Sequence, residues 1–254
     1  MRVISVIQLK GGTGKSTTAE NLAYCLGELE GKRVLVIDND KQGNTSKVYG
    51  CYDPKDKNTI ARLMEKECVD VKEVIKKTRY ENIDIIAANM YLGEENWKAM
   101  KKDDGEYTVF EEVLERVKGD YDYCVFDNAP DINTSIIYAL AMTNDVVIPV
   151  VTDAYSLDGL EVLESQLEDV RQINNGLENV KCLITMYENT EVGQQTEEYV
   201  RSQRETYKQK IRRSGMKAYE RSFVQEPLVK YSVRCGAAQD YKKFTKEYLK
   251  DIEG

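Results

Sequence analysis

The sequence predicts an α/β fold: a doubly wound, mostly parallel sheet flanked by helices. Three observations carry this expectation. Short apolar runs recur along the chain, segments with helical apolar spacing lie between them, and a glycine-rich loop joins the first run to the first helical segment. Strand followed by helix, repeated, is the pattern of parallel strands with helical crossovers on both faces.

The first run, residues 2–8, reads Arg-Val-Ile-Ser-Val-Ile-Gln and is a buried strand by its length and β-branched content. Helical spacing over residues 16–29 follows the glycine loop. A second strand at 33–38 ends in Asp38-Asn39-Asp40, and a third lies at 83–88. Helical spacing at 107–117 leads to a strand at 123–127 that ends in Asp127. Then come a helix over 132–142, a strand at 145–151, a helix over 157–173 and a strand at 180–186. The last helix, 237–252, places Tyr241, Phe244, Tyr248, Leu249 and Ile252 on one face, with Lys242, Lys243, Lys246 and Lys250 outside it, the pattern of a closing helix packed on the sheet. Among 254 residues there are four prolines, no Pro/Gly/Ser-rich linker and no fixed-period repeat, so one domain over 1–254 is expected.

Composition narrows the classes. Hydrophobic residues make up 41% and charged residues 31%, and no stretch approaches the roughly 20 apolar residues of a membrane helix. The N-terminus lacks the basic, apolar and small-residue succession of a signal peptide, so a soluble cytoplasmic protein is expected. The chain has no histidine, and its six cysteines form no Cys-x-x-Cys pair, which argues against structural zinc. Runs such as Tyr123-Cys124-Val125-Phe126 read as reduced core thiols. Catalysis must then draw on Lys, Asp or Glu.

The loop Lys10-Gly11-Gly12-Thr13-Gly14-Lys15-Ser16-Thr17 stands between a strand and a helix, the setting a phosphate-binding loop requires. Glycines let backbone N–H groups converge on phosphate oxygens, and the helix N-terminus adds a favourable dipole. Lys15 supplies charge to the β/γ-phosphates, and Ser16 offers a hydroxyl to Mg²⁺. This predicts a P-loop nucleoside triphosphatase that takes ATP and Mg²⁺. Asp127, at the end of its strand, is where a carboxylate meets the Mg²⁺ shell, directly or through water. A strand-end aspartate is otherwise a turn or cap residue, and Asp38 and Asp40 carry the same two readings. The carboxyl ends of parallel strands nevertheless form the ligand crevice of such sheets.

Lys10 at the head of the loop, the run from Asp38 to Asn44 and the run Asp127-Asn128-Ala129-Pro130 together resemble the ParA/Soj/MinD family of deviant Walker A ATPases, most closely its ParA/Soj-type DNA-partitioning branch. The resemblance extends through residues 145–150, 157–160 and 183–187. It implies that Lys10 reaches across an ATP-sandwiched homodimer, that Asp40 orients the attacking water, that Asp127 holds the Mg²⁺ shell, and that Lys15 stabilises the leaving oxygens. It also implies a slow, partner-stimulated ATPase in which ATP builds the dimer and hydrolysis dissolves it. Adenine contacts at Met186, Tyr187 and Pro227 follow from the same likeness. Two departures stand out: Lys41 where proline is usual, and Asn128-Ala129 in place of the commoner pair before Pro130.

The net charge is -8, yet residues 196–254 hold 14 Lys/Arg against 9 Asp/Glu. The excess gathers in Arg201, Arg204, Lys208, Lys210, Arg212, Arg213, Lys217 and Arg221. In the partitioning branch the resemblance implies non-specific DNA binding by the ATP dimer, and this cluster is its candidate surface, because phosphate contacts need only charge. The bland reading is a solvated helix face. The resemblance further implies a ParB-like centromere-binding partner, a nucleoid-associated location and a role in chromosome, plasmid or mobile-element partitioning. The alternative is a MinD-type membrane-associated positioning ATPase, which the acidic end Asp251-Ile252-Glu253-Gly254 disfavours, so no membrane partner is expected. A metabolic relative such as the nitrogenase iron protein would need cluster cysteines that the nucleotide strands do not supply. A tyrosine kinase of the fold would need a C-terminal tyrosine cluster, which is absent.

Overall fold

A computed structural model describes residues 1–65, 70–102, 105–152 and 158–253. Leu157 and Cys68 lie outside these residues. In chain order the elements are β1 (Arg2–Val6), α1 (Lys15–Tyr24), continued by a π-helical turn over Cys25–Leu29, β2 (Val34–Asn39), α2 (Asn44–Val48), α3 (Ile60–Leu63), α4 (Val71–Val74), β3 (Ile75–Lys77), β4 (Ile83–Ile86), α5 (Tyr91–Lys102) and α6 (Val109–Glu115). There follow β5 (Tyr123–Asn128), α7 (Thr134–Ala141), β6 (Asp145–Val151), α8 (Asp158–Ile173), β7 (Asn179–Thr185), α9 (Glu191–Gln203), α10 (Met216–Val224), α11 (Leu228–Tyr231) and α12 (Gly236–Glu253).

Seven strands form one sheet in the order β3-β4-β2-β5-β1-β6-β7. All neighbours are parallel except β3, which pairs antiparallel with β4 at the edge. The six expected strands are present. Ile75-Lys76-Lys77 escapes sequence reading because three residues, two of them charged, show no period.

Alternate side chains of each central strand enter opposite layers. Ile4, Val36 and Val125 pack toward α1 and α12, with Leu22, Leu26, Phe244 and Tyr248 in the same layer. Leu35, Ile37 and Phe126 pack on the other face with Phe110, Leu114 and Tyr138 of α6 and α7. Beyond β1, Val146, Ile148 and Ile184 meet Leu160, Leu163 and Leu167 of α8.

The apolar stripe of α12 is buried in the core, as a closing helix requires: Tyr241, Phe244 and Tyr248 are nearly inaccessible. Burial of a side chain such as Phe244 contributes roughly 1.5–3 kcal/mol. Tyr248 also donates to Asp145 Oδ2 at 2.7 Å, and Arg2 pairs with the same carboxylate at 2.5 Å. These bonds tie the first and last elements to β6. Among the described residues no helix is long and apolar enough to cross a membrane.

The register sets the site. Asp38 stands beside Asp127 in the β2–β5 pair, and Val6 stands beside Asp127 in the β1–β5 pair, so three adjacent strands end together beneath the glycine loop.

Candidate functional site: a phosphate loop over buried carboxylates

The loop between β1 and α1 turns on glycine. Gly14 precedes the first turn of α1 at φ 88°, a left-handed conformation that a side-chain residue adopts at a cost. Lys15 Nζ reaches back to the Lys10 carbonyl at 3.0 Å. Burial pulls the Lys15 pKa down, while Asp127 and then Asp40 pull it up, so a cation is held over two carboxylates. Lys10 is half-exposed at the head of the loop, and Gly11 and Gly12 are open to solvent. Thr185 Oγ1 donates to the Thr13 carbonyl at 2.8 Å, pinning the loop to the end of β7.

Beneath the loop lie carboxylates with few countercharges. Asp127 is 1% exposed and Asp38 is fully buried. Thr45 donates to Asp127 Oδ2 at 2.6 Å, and the Ser16 hydroxyl is a second donor toward the same carboxylate. Burial, followed by the neighbouring Asp38 charge, pushes the Asp127 pKa well up. Asp38 accepts from both the backbone N–H and the hydroxyl of Ser46 at 2.7 Å, and burial still pushes its pKa up to about 7. Asp127 Oδ1 is buried with no hydrogen-bond partner. An orphaned carboxylate oxygen beside a P-loop serine hydroxyl is a hard-oxygen donor set, and these residues fit Mg²⁺, which takes one or two carboxylates and completes its shell with water and phosphate. Ser16 and Asp127 would hold it.

Thr45 and Ser46 were not identified in the sequence. They sit on α2 directly after Gly43, which adopts φ 63° where a Cβ would meet the Tyr52 ring at 2.5 Å and the Ala88 carbonyl at 2.8 Å. The Gln-Gly-Asn run therefore has a structural reason: it starts the short helix that clamps both strand-end aspartates.

Asp40 caps the same turn, accepting the Gln42 N–H at 2.9 Å. It lines a cleft of about 620 Å³ between α5, α7 and the loop after β5, together with Lys41, Trp97 and Pro130. Lys41 lays its stem against Gly93 on α5. Asn128 has a partner that accounts for it: Asn39 Nδ2 donates to Asn128 Oδ1 at 2.9 Å, and Asn128 donates to the Val6 carbonyl at 3.3 Å, lacing β2, β5 and β1.

Met186 is brought to the loop. It has a positive φ of 51°, and its terminal methyl lies 3.6 Å from where a Cβ on Gly14 would stand. Tyr187 is buried beneath Lys210, whose Nζ is 3.6 Å from the ring centroid. Pro227 is buried at the start of α11, next to Glu226, whose carbonyl accepts from Arg221.

The basic cluster does not form one helix face. Arg201 closes α9, and the following stretch lies beside β7, with bridges from Thr206 to Cys182 and from Arg212 to Tyr187. Most of its charges have acidic partners: Arg201 and Lys210 share Glu197, Arg204 pairs with Glu164, Arg212 with Asp240, and Lys217 with Glu220. Arg213 lies 3.5 Å from Glu188 with its side chain more than half exposed, and Lys208 is exposed. Arg221 leaves the group altogether. It is only 8% exposed and turns inward to Glu20 and Thr17. Its countercharge comes from α1, which a count along residues 196–254 omits.

Comparison with known proteins bears on this site. A family model described as an AAA domain matches residues 1–179. The sporulation initiation inhibitor protein Soj of Bacillus subtilis is 32% identical, over 97% of this chain and 97% of its own length. The chromosome partitioning protein ParA of Caulobacter vibrioides is 29% identical, over 98% of this chain and 94% of its own. Among solved structures, Cyanothece McdA superposes with a TM-score of 0.85 at 17% identity, covering 98% of this chain and 99% of its own. The Mycobacterium smegmatis cobyrinic acid a,c-diamide synthase with bound ATP analogue and magnesium superposes with a TM-score of 0.85 at 22% identity, covering 100% and 96%. At those identities the structural likeness establishes the fold.

Proposed function

Because this chain belongs to the Soj and ParA family of P-loop ATPases, we propose that it is a Mg-ATP-dependent dimerising switch that binds DNA without sequence preference and acts in partitioning. The observation that carries the reading is the glycine loop closed by Lys15 over Asp127, whose free oxygen lies buried beneath it. Lys15 offers its charge to the β/γ oxygens of ATP once the phosphates replace the Lys10 carbonyl as its partner. The loop N–H groups hold those oxygens, and Asp40, near Lys15 and at the rim, orients a water for attack. Mg²⁺ held by Ser16 and Asp127 would neutralise charge on the same oxygens. Hydrolysis then resets the switch.

Dimerisation has support beyond Lys10. The outward face of α10 carries Met216, Tyr219 and Phe223, each more than 60% exposed, while the one residue the helix buries is Arg221. An apolar face left in solvent beside a nucleotide site is what a nucleotide-dependent interface would cover. For DNA, the accessible cations are Lys208, Arg212, Arg213 and Lys217. Doubling such a set in a dimer multiplies phosphate contacts and makes binding depend on ATP. A ParB-like protein is the proposed stimulating partner. Burial of Tyr241, Phe244 and Tyr248 of α12 in the core, with Leu249 and Ile252 partly buried against it, disfavours the MinD-type alternative.

Binding to random-sequence duplex DNA, with ATP, with ADP and without nucleotide, tests the reading. Binding with ATP alone, lost in Lys15→Ala and weakened by salt, is the expected result. ATP-dependent dimers that ignore DNA would overturn the partitioning role, and an added arm with anionic vesicles would reveal the membrane alternative.

A further inference from the structure

Behind the phosphate loop lies a buried polar chain to which the site described above gives no role. Glu20 is 1% exposed, on the inner side of α1, and Arg221 is 8% exposed, on α10. One Arg221 amine bonds Glu20 Oε2 and the Glu226 carbonyl, and the other donates to the Thr17 hydroxyl at 2.9 Å, within the phosphate loop itself. Glu20 Oε1 lies 3.3 Å from Thr45 Oγ1, the hydroxyl that donates to Asp127 at 2.6 Å.

A threonine hydroxyl has one proton to give. The 2.6 Å bond to Asp127 takes it, and Glu20, a second buried carboxylate, stands at the edge of reach for the same proton. What keeps Glu20 from competing is its pairing with Arg221. Without that cation, Glu20, Asp38 and Asp127 would share the interior around α2 with one fewer countercharge, and an unpaired buried carboxylate seeks any donor available.

We infer that Glu20 and Arg221 are positioning residues of the phosphate site: Arg221 anchors Thr17 and satisfies Glu20, which leaves the Thr45 proton to Asp127 and leaves the second Asp127 oxygen for the metal shell. The inference rests on the reading of the loop as a Mg-ATP site. Nothing in either residue touches the reacting atoms, so both act through Thr17 and Thr45.

The test is the Mg²⁺ dependence of binding a fluorescent ATP analogue, read beside thermal melts of the nucleotide-free proteins and the KM and kcat of hydrolysis. Arg221→Met strands Glu20 and should raise the Mg²⁺ needed for half-maximal binding by about tenfold, the scale of one lost charge-assisted partner. Adding Glu20→Gln removes the stranded charge and should return that requirement to within about threefold of wild type. Arg221→Lys, which covers the case of a methionine variant that fails to fold, keeps a charge on Glu20 but has one amine for two partners. It should leave the Mg²⁺ dependence near wild type and raise the KM for ATP about threefold, with kcat unchanged. A pair that merely braces α10 against α1 would lower the melting temperature and leave the Mg²⁺ dependence where it was, and that result overturns the inference. A wild-type protein that binds no Mg-ATP would instead overturn the site reading on which it rests.

Discussion

Gly43→Ala should be among the most damaging single-methyl changes in the chain. The backbone there is left-handed, φ 63°, and the new Cβ would stand 2.5 Å from two carbons of the Tyr52 ring and 2.8 Å from the Ala88 carbonyl oxygen. The conformation alone costs a non-glycine residue roughly 1–2 kcal/mol. Overpacking adds about 1–3 kcal/mol, since the Ala88 oxygen is backbone at the end of the β4 segment and cannot swing away as a side chain would. The total is therefore about 2–5 kcal/mol. Gly50 provides the control: its φ is 73°, and nothing lies within 4 Å of a Cβ built on it, so Gly50→Ala isolates the conformational part. Urea unfolding of both variants with a common slope gives the difference directly. Function should follow, because Gly43 starts α2, and displacing that helix removes the Thr45 and Ser46 donors from Asp127 and Asp38. A Gly43→Ala protein no less stable than Gly50→Ala, with ATP binding intact, would refute the reasoning.

Three further outcomes follow from the same structure. Asp38 has its folded pKa raised to about 7 by burial, so the native state holds a proton that the unfolded state has released. Its contribution is full below the ordinary carboxylate pKa and is lost as pH rises through about 7, so melting temperatures of the nucleotide-free protein should fall between roughly pH 4 and 7. Asp38→Asn should flatten that slope, and an unchanged slope would disprove the assignment. In a Cys68→Ser background, a thiol reagent at neutral pH should modify the half-buried Cys51 and Cys235 first and spare Cys124, Cys25 and Cys182: burial pushes the pKa values of Cys25 and Cys182 up to about 12 and raises that of Cys124 as well; early modification of Cys25 by mass spectrometry would contradict this. Tyr248→Phe removes one buried donor from Asp145 while leaving Arg2 and Asn179 in place, and should cost about 1–2 kcal/mol in denaturant unfolding; no loss would mean that the bond contributes nothing.

Legibility in the sequence tracked how local each determinant is. The central strands announce themselves because both faces are buried, and a strand covered on both sides reads as an unbroken apolar run, as in Val34-Leu35-Val36-Ile37. The loop from Lys10 to Thr17 is legible because phosphate binding is done by consecutive backbone. The short helices were missed for the opposite reason: Asn44–Val48 and Ile60–Leu63 are little more than a turn long, below the length at which a helical period exists. With α2 went Thr45 and Ser46, whose importance lies in what they touch across the fold.

Charge was the least legible property, and Arg221 shows why. Counting cations from Arg201 to Arg221 measures a local excess, whereas a side chain's availability depends on the acid nearest in space. The acids here come from elsewhere: Glu20 is 201 residues from Arg221, Glu164 is 40 residues from Arg204, and Asp240 is 28 residues from Arg212. A paired cation offers a phosphate only the exchange of one anion for another, so its net gain on binding DNA is small beside that of a free one. The eight-cation tally therefore overstates the charge that a single chain could offer to a phosphate backbone. Lys208, which is exposed, and Arg213, whose contact with Glu188 is long at 3.5 Å and more than half exposed, would suit an interaction that becomes strong only when a second copy brings the same side chains alongside.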